Sequence, residues 1–317
     1  MKNNQEFFFT IMTKVAFLFL TRGEHHNIVL WEQFFRDVPP DRYKIAIHAK
    51  QPALLKSALW ANRVINTIPT AWGTISLVKA TIFLMQNVLA DPQVSKLVLL
   101  SEFCIPTTSF DNVYAHLTQR VGEEHKSFIH YVYGKNIDRY AMVKSYLPQT
   151  LGPGQWAKQS QWMCLARKHA QMLFTPPYQA YMLQWLNDFK YCPAPDEHFF
   201  INFYLYICRL PETDFCNTPI TFVDWQSNCK HPKAFAYLPR ELIETCRVKN
   251  MLFARKFYPL CLYPADVQYV LHKEIPLSAE QKALLDFFTE DPLGPAHALT
   301  TLTPAQVSQM YQALSLK

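Results

Sequence analysis

The sequence predicts an α/β fold in which helices flank an open, mostly parallel β-sheet. Residues 14–20, 43–48 and 96–101 form short apolar runs with the length and composition of buried strands. Between them, residues 28–36 and 76–90 place apolar side chains at the i, i+3, i+4 spacing of a helix that buries one face. Strands that alternate with helices indicate βαβ units, which build parallel sheets.

The segments that follow these strands are candidates for a ligand site. In open α/β sheets, ligands bind beyond the carboxyl ends of the strands. Residues 21–23, 49–51 and 102–106 directly follow the three predicted strands, so we expect them to face a common cleft.

The second half of the chain is richer in predicted helix. We expect helices over residues 160–174 and 196–209, a strand over 221–225, and proline-marked loops over 211–219 and 258–264.

The domain organisation is predicted to be one domain with an appended helical region. No linker rich in Gly, Ser or Pro divides the chain, so we assign residues 1–262 to the domain and 263–317 to a helical extension packed on it. Residues 278–289 and 304–315 of the extension have amphipathic spacing.

Composition excludes several classes of protein. The chain has 317 residues, 50% of them hydrophobic, which excludes a disordered or fibrous chain. Only 7 residues are Gly, and the phosphate-binding motifs GxGxxG and GxxxxGK[ST] are absent. The net charge of +6 is dispersed, so it suits an anionic ligand without indicating nucleic acid.

The cysteines give no support for a zinc ribbon or a thioredoxin-like site, because no two of the eight form a CxxC pair. Cys164 and Cys208 lie in apolar runs, which favours buried thiols, while disulfides among the later six stay open. The apolar stretch 7–20 is interrupted by polar residues and is shorter than the ~20 residues that span a bilayer. We therefore expect no integral membrane segment and a soluble, cytoplasmic protein; the oligomeric state stays open.

The segment Pro195-Asp196-Glu197-His198 is the most pointed chemical feature. Two carboxylates at the start of a helix complement its dipole and cap its free N–H groups. Alternatively, Glu197 projects into a cleft and takes a proton from an incoming hydroxyl. A third interpretation is a metal at Asp196 and His198, which their adjacent spacing and the lack of HExxH do not favour.

A second feature is the pair Arg255 and Lys256 within an apolar run. Burying two cations together is costly unless an anion meets them, so a phosphate site is one interpretation. The other is that the pair alternates across a strand, with one side chain in water. His231 and Lys233 are nearby basic residues that could complete an anion site.

Tryptophans next to polar residues form a third feature. Such rings cover the C–H face of a sugar while amides and hydroxyls bind its polar groups, although most tryptophans belong to a core. The residues concerned are Trp156, Lys158, Gln161 and Trp162 in one block, with Trp72 and Trp225 elsewhere.

The chain also lacks GxSxG and the metal-binding DxD of many sugar-nucleotide enzymes. A sugar-nucleotide enzyme with this sequence should therefore work without a divalent metal or other cofactor.

An ordered set of motifs resembles one family. The motifs are KVAFLFLTRG, AWGTIS, LVLLSEFCIP with a following helix over 110–117, the SQW block, PDEHFF, TFVDW with a later HP, and LFARKF. Over about residues 14–258 they resemble the core-2/I-branching β-1,6-N-acetylglucosaminyltransferases, most closely the plant and microbial branch. The resemblance implies a GT-A type fold and a metal-independent, inverting transfer from a nucleotide sugar to an acceptor hydroxyl.

The resemblance also implies roles for individual residues. The family's glutamate falls on Glu197, which is implied to be the general base, and its lysine in the F-A-x-K-F segment falls on Lys256, implied to bind the donor diphosphate. Lys233 aligns near a second basic position, Arg255 is a further candidate, and Trp225 is implied to line the acceptor side.

The remaining assignments follow the predicted cleft. We expect Thr21, Arg22, Lys50 and Trp72 on the nucleotide side, and Glu102, Lys158 and Gln161 with Trp225 on the acceptor side.

Three departures from the family bear on substrates. Lys50 stands where animal members carry an Asp suited to a nucleotide contact, and Gln159 stands where plant members have Gly in KGSQW. We also expect no Golgi membrane anchor of the kind that animal members carry, which argues against a mucin-type acceptor. The predicted function is transfer of a sugar, N-acetylglucosamine from UDP-GlcNAc, to a glycan hydroxyl. A xylosyl- or glucosyltransferase, or a non-catalytic glycan or nucleotide-sugar binding protein, are the alternatives.

Overall fold

The computed structural model describes residues 13–148, 151–226, 231–260, 262 and 264–272. The chain divides into two compact units. Unit 1 consists of the residues up to His25, Asp37–Glu102 and Asp111–Thr221; unit 2 consists of His26–Arg36, Phe103–Phe110 and the residues from Phe222 onward.

The first three strands are long and the later ones are short. In chain order the strands are β1 (Lys14–Thr21), β2 (Tyr43–Ala49), β3 (Val94–Ser101), β4 (Ile105–Pro106), β5 (Ser127–Phe128), β6 (Tyr131–Tyr133), β7 (Ala157–Gln159), β8 (Cys164–Ala166), β9 (Phe215–Cys216), β10 (Thr221–Val223) and β11 (Phe253–Arg255).

The helices vary from one turn to four. They are α1 (Ile28–Phe35), α2 (Ala58–Ala61), α3 (Ile75–Leu89), α4 (Phe110–Thr118), α5 (Ile137–Val143), α6 (Arg167–Met172), α7 (Tyr178–Asp188), α8 (Phe199–Asn202), α9 (Arg240–Val248) and α10 (Pro264–Leu271). Turns of 3₁₀ type lie at Pro52–Leu54, Lys144–Tyr146, Pro153–Gln155, Pro195–Glu197 and Glu212–Asp214, and a π-helical turn at Phe203–Ile207.

Unit 1 is built on a six-stranded sheet in the order β2-β1-β3-β8-β5-β9. Strand β1 runs parallel to both β2 and β3, and β5 runs parallel to β9, while β8 is antiparallel to its neighbours. Residues 15–19 of β1 are fully buried, and each large apolar side chain so buried contributes about 1.5–3 kcal/mol. The predicted α/β fold with a mostly parallel central sheet is confirmed.

Helix α3 covers the long strands of this sheet. The Thr74 side chain accepts a hydrogen bond from the Ser76 N–H, which satisfies a donor at the start of the helix. Val78, Met85 and Val88 recur at helical spacing, are buried, and lie on an element that contacts β1, β2 and β3. The predicted helices over 28–36 and 76–90 are confirmed as α1 and α3.

Unit 2 has a small sheet of its own in the order β10-β11-β4. Strand β11 pairs antiparallel with β4, with Phe253 opposite Pro106. Helix α1 contacts β4 and α10, and its Trp31 indole N–H donates to the Cys104 carbonyl at 3.1 Å. The Trp31 ring also stacks on Phe253, so aromatic side chains form the core of this unit.

The helix expected over residues 160–174 is wrong in its first half. Cys164–Ala166 form strand β8 between β3 and β5, and only Arg167–Met172 are helical there. These three strand residues are almost completely buried, so pairing within the sheet overrides the local helical pattern. The expected loop over 211–219 likewise contains β9.

Several other expectations concern the later part of the chain. The helices expected at 278–289 and 304–315 lie outside the described residues, and the domain boundary at 262 stays a prediction. The described cysteines, Cys104, Cys164, Cys192, Cys208, Cys216 and Cys246, form no disulfide with one another. Within the described residues, no helix has both the length and the apolar character needed to cross a membrane.

Candidate active site

A tight turn carries Glu197 in unit 1. Residues Pro195–Glu197 form a single 3₁₀ turn, and Ala194 before it has a positive φ of 46°. The Ala194 N–H donates to the Gly73 carbonyl at 2.9 Å, which ties this turn to the loop before α3. Gly73 has a φ of 71°, a conformation that a glycine adopts without steric cost. The helix expected over residues 196–209 is therefore interrupted: this 3₁₀ turn is followed by the short helix α8 and by the π-helical turn Phe203–Ile207.

Two cations contact the carboxylate of Glu197. A terminal guanidinium nitrogen of Arg139 donates to Oε2 of Glu197 at 2.8 Å, and Nζ of Lys158 lies 3.4 Å from the same oxygen. The Glu197 side chain is 24% exposed, so it is open to solvent. Among the described residues, both ion pairs of Glu197 are made through Oε2.

His198 follows Glu197 in the chain and is fully buried. Its Nδ1 donates to the Ala157 carbonyl at 2.9 Å, and its ring stacks on Trp156 with 4.8 Å between centroids. Burial lowers the pKa of His198 to about 4, the Ala157 carbonyl opposes this shift, and the charge of Arg139 adds to it. The imidazole is therefore neutral near pH 7.

The β6–β7 ribbon positions Lys158. Asn202 accepts a hydrogen bond from the Ala157 N–H at 3.0 Å and donates to the Ala157 carbonyl at 2.8 Å. At the other end of β7, the Gln159 side chain accepts from the Ile201 N–H at 2.6 Å. These bonds join β7 to α8, so Lys158 and Glu197 are fixed on one local framework although they are distant in sequence.

The tryptophans of the block 156–162 belong to the core. Trp156 is fully buried and Trp162 is 7% exposed, so the interpretation of these two rings as sugar platforms is wrong. Trp156 packs between His198 and Phe189 instead. Gln161 is half-buried just after β7.

The carboxyl ends of β1, β2 and β3 are joined by hydrogen bonds. The Lys50 N–H donates to the Thr21 carbonyl at 2.9 Å, and the Gln51 N–H donates to the Arg22 carbonyl at 2.7 Å. The His25 ring bonds the Ser101 carbonyl at 3.1 Å.

The side chains at these strand ends differ in exposure. Those of Arg22 and Lys50 are exposed, Thr21 is buried, and Glu102 is half-buried. Trp72, beside the glycine that binds Ala194, is 82% exposed.

Unit 2 brings the two basic segments together. The Phe235 N–H donates to the Lys256 carbonyl at 2.8 Å, and the Tyr258 N–H donates to the Phe235 carbonyl at 2.9 Å. This pairing places Lys233, two residues before Phe235, beside the segment that carries Arg255 and Lys256. Lys256 places its ammonium 4.1 Å from the Phe103 ring centroid, within cation–π distance.

His26 is part of the same basic and aromatic cluster. Its ring makes an edge contact with Phe103 at 4.3 Å and lies nearly parallel to Tyr258 at 6.4 Å. Burial lowers the pKa of His26, a hydrogen bond with the Phe257 backbone opposes that shift, and the nearby Lys256 charge adds to it. Near pH 7 the cluster therefore contains the cation of Lys256 and a neutral imidazole, that of His26.

Trp225 also lies in unit 2, next to the basic segment. The Lys233 N–H donates to the carbonyl of Asp224, the neighbour of Trp225, at 2.9 Å. The Trp225 ring is 57% exposed, as a platform for a ligand would be.

Sequence reasoning missed Arg139 and His26. Arg139 is on α5, which begins after Asn136 in the left-handed region, and no motif marks it. His26 follows β1 by five residues and belongs to no spacing that signals a site. Across the described part of the chain, no group of three or more His, Cys, Asp or Glu side chains could hold a metal ion.

Comparisons with known proteins agree with the ordered motifs. A profile of the family described as Core-2/I-Branching enzyme matches residues 15–252. Glycosyltransferase BC10 of Oryza sativa subsp. japonica is 28% identical over 171 residues, which cover 50% of this chain and 40% of the rice protein.

One solved structure is similar over much of the chain. Mouse xyloside xylosyltransferase 1 in its apo form covers 76% of this chain and 96% of its own, with 7% identity and a TM-score of 0.34, too low to carry an argument. The family match alone spans most of the chain and includes every motif from β1 to the turn of Glu197. The chain therefore belongs to the Core-2/I-Branching enzyme family, a family of glycosyltransferases, and the predicted resemblance is confirmed.

Proposed function

We propose that this protein is an inverting glycosyltransferase that moves a sugar, N-acetylglucosamine from UDP-GlcNAc, onto a hydroxyl of a glycan acceptor. The observation that carries the proposal is the carboxylate of Glu197, which is partly exposed and is held through one oxygen by Arg139 and Lys158. Family membership and the name of the rice relative support glycosyl transfer as the class of reaction.

Glu197 is the general base in this proposal. Because Arg139 and Lys158 contact Oε2, we assign the acceptor proton to Oε1. As the acceptor O–H gives its proton to Glu197, its oxygen attacks the anomeric carbon and the bond from that carbon to the diphosphate oxygen breaks. One displacement inverts the configuration, and a positioned base of this kind contributes about 10²–10⁴-fold.

The basic residues of unit 2 are proposed to bind the donor diphosphate. Lys256 and Lys233, with Arg255, would neutralise the charge that develops on the leaving UDP, a task that a divalent metal performs in other enzymes. The backbone pairing that joins the two basic segments supports this grouping. We therefore propose that no metal is required.

The other substrate contacts stay predictions. They are Thr21, Arg22, Lys50 and Trp72 for the nucleotide, and Trp225, Glu102, Lys158 and Gln161 for the acceptor. The contact of Lys158 with Oε2 of Glu197, the oxygen next to the one assigned to the acceptor proton, suits a residue on the acceptor side. The cytoplasmic location likewise stays a prediction.

Donor binding is tested by thermal stabilisation. A ligand that binds only the folded protein raises the melting temperature, and at 100 times its Kd the gain is about 2.7 kcal/mol. We expect UDP and UDP-GlcNAc to raise it with EDTA present, and Lys256→Met to remove most of the shift. Lys249→Met, an exposed lysine elsewhere in unit 2, is the control. A shift only with added metal would contradict the metal-free donor site.

Transfer is tested by UDP release from UDP-GlcNAc with a panel of oligosaccharides that differ in their terminal sugar. We expect acceptor-dependent release that Glu197→Gln lowers by about 10²–10⁴-fold without changing the thermal shift by UDP. Glu212→Gln, which alters a carboxylate bound by Tyr131 and Tyr133, is the control. Sugar binding with no turnover would instead establish a binding protein, and turnover of UDP-xylose or UDP-glucose alone would change the donor.

A further inference from the structure

We infer that His198 is a positioning residue for the transfer reaction: its Nε2 accepts a hydrogen bond from Arg139 and thereby fixes the cation that orients Glu197. This inference rests on the proposed function of Glu197. It assigns to His198 a role other than metal binding, the interpretation that the sequence offers for this residue.

The tautomer of His198 follows from its partners. A carbonyl oxygen only accepts, so the 2.9 Å contact with the Ala157 carbonyl requires a proton on Nδ1. In the neutral ring, Nε2 then carries a lone pair. The two groups at that nitrogen are both donors, the Arg139 guanidinium at 3.3 Å and the Asn136 amide at 3.3 Å.

One nitrogen of Arg139 connects the imidazole to the carboxylate. The same terminal nitrogen lies 2.8 Å from Glu197 Oε2 and 3.3 Å from His198 Nε2. A terminal guanidinium nitrogen has two N–H groups, so one can donate to the carboxylate and the other to the imidazole. Because the guanidinium is planar, two acceptors at one nitrogen define its plane as well as its position.

The imidazole itself is held rigidly. Its ring is parallel to the Trp156 ring within 16°, and its backbone is linked to Asn202, which donates to the His198 carbonyl at 2.7 Å. Burial keeps the ring neutral near pH 7, and only a neutral ring can accept from Arg139. A cation held this way keeps Glu197 Oε2 occupied, so that Oε1 is presented to the acceptor hydroxyl.

Two substitutions separate positioning from packing. In His198→Gln the side-chain oxygen can occupy the place of Nε2 and accept from Arg139. In His198→Asn the shorter amide can replace the Nδ1 donor toward Ala157 but does not reach Arg139. Both remove the stacked ring, so both lower the melting temperature, and a role confined to packing predicts the same loss of activity in each.

The experiment measures kcat, the KM for UDP-GlcNAc and for the acceptor, and the melting temperature, in the UDP-release assay described above. We expect His198→Asn to lower kcat by about 10–100-fold with the donor KM unchanged, the effect of one lost hydrogen bond to a charged group. We expect His198→Gln to keep kcat within about fivefold of the wild type. His116→Asn is the matched control, because His116 also contacts an arginine, Arg120 at 3.2 Å, away from Glu197.

A double-mutant cycle tests whether His198 acts through Arg139. In an Arg139→Met background, His198→Asn should cause little further loss of kcat, since its partner is gone. Equal losses in the two backgrounds, or wild-type kcat in His198→Asn, would overturn the inference and leave the proposed function standing. No transfer by the wild-type chain would overturn the proposed function and this inference with it.

Discussion

Two buried histidines in unit 1 each belong to a network that contains a carboxylate and a lysine, but only one of these networks is open to solvent at its reactive oxygen. His198 is connected through Arg139 to Glu197, which also contacts Lys158. The second, His169, bonds the Ser127 hydroxyl at 2.6 Å and Asp214 at 3.2 Å, and Asp214 contacts Lys168. In both cases burial is the main cause of a pKa near 4.

The two rings carry their protons on opposite nitrogens. His169 donates from Nε2 to the Asp214 carboxylate, so its Nδ1 accepts from the Ser127 hydroxyl. The Ser127 oxygen in turn accepts from the Ala166 N–H at 2.8 Å. Ser127 is completely buried, so no substrate can reach it and the network joins β5, β8 and α6.

The difference shows that residue types alone do not define a reactive site. Ser127, His169 and Asp214 are the residue types of a hydrolase triad, yet the Ser127 hydroxyl is enclosed in the sheet, where it donates to His169 and accepts from the Ala166 N–H. Glu197 is open to solvent, and its cations contact one oxygen only. Solvent access to the reacting atom therefore distinguishes a candidate reactive site from a buried hydrogen-bond network that only stabilises the fold.

Replacing the carboxylate of each network by an amide should give the largest difference in transfer rate between the two networks. We expect Glu197→Gln to lower the transfer rate by about 10²–10⁴-fold, because an amide cannot take a proton from the acceptor. Asp214→Asn should leave the rate within about twofold, since Asp214 contacts the buried ring of His169 and the exposed Lys168, which belong to the structural network. Steady-state UDP release with both variants tests this, and a large loss in Asp214→Asn would remove the distinction between the networks.

Acid should destabilise the fold through both histidines. Each has a folded pKa of about 4 against an ordinary value of 6.5, so the unfolded chain binds more protons between these limits. The free energy of unfolding therefore falls as the pH falls from 6.5 to 4, by about 2–3 kcal/mol per histidine. Urea unfolding at pH 7.0 and 4.5 measures it.

Removal of each titrating ring provides the control for this pH effect. His169→Gln and His198→Gln should each be less stable at pH 7.0 but lose less free energy between pH 7.0 and 4.5 than the wild type. An identical loss in all three proteins would show that other groups cause the acid sensitivity.

Removing the buried hydroxyl should weaken the fold without affecting transfer. Ser127→Ala leaves the Ala166 N–H and the His169 Nδ1 without their partner inside the sheet, at a cost of about 1–3 kcal/mol. Denaturation measures that loss, and kcat for UDP release should stay at the wild-type value. Thr118→Ala, whose hydroxyl bonds within α4, should cost less.

Replacing Lys168 or Lys158, the lysine of each network, should give the smallest difference between the two networks. Lys168 is 49% exposed, so Lys168→Met should change stability by less than about 1 kcal/mol and leave transfer unchanged. Lys158→Met removes a cation 3.4 Å from Glu197 and should raise the acceptor KM several-fold. Equal KM values for the two variants would mean that Lys158 does not take part in acceptor binding.

The local features of the fold could be predicted from the sequence. Strands β1, β2 and β3 and helix α3 correspond to continuous apolar runs or helical spacing, which need only nearby residues to recognise. Strand β8 could not be predicted, because Cys164–Ala166 become a strand only through pairing with Lys96–Val98 and Phe128. These partners are tens of residues away in the sequence, and a segment of three residues is too short to show the alternating pattern of a strand.

The same limit applies to the candidate site. Glu197 stands out because a proline and a second acid precede it, and Lys256 stands out because cations are rare in apolar runs. Arg139 has no such mark, since its role depends on the path of the chain between β6 and β7. The tautomer of His198 depends on the Ala157 carbonyl of strand β7. That contact joins residues far apart in the sequence, so no sequence pattern could predict it.

The ribbon of β6 and β7 has a consequence for how such an enzyme can diversify. The Gly134 N–H donates to the Trp156 carbonyl at 2.9 Å. The end of β6 and the start of β7 are therefore hydrogen-bonded to each other, and the chain between them forms a loop with its two ends together. Helix α5 and its Arg139 are carried on the excursion between these two residues. Insertions, deletions or a transplanted segment there would displace Arg139 and so change the contacts of Glu197 Oε2, while Lys158 on β7 and the turn that carries Glu197 lie outside the exchanged segment.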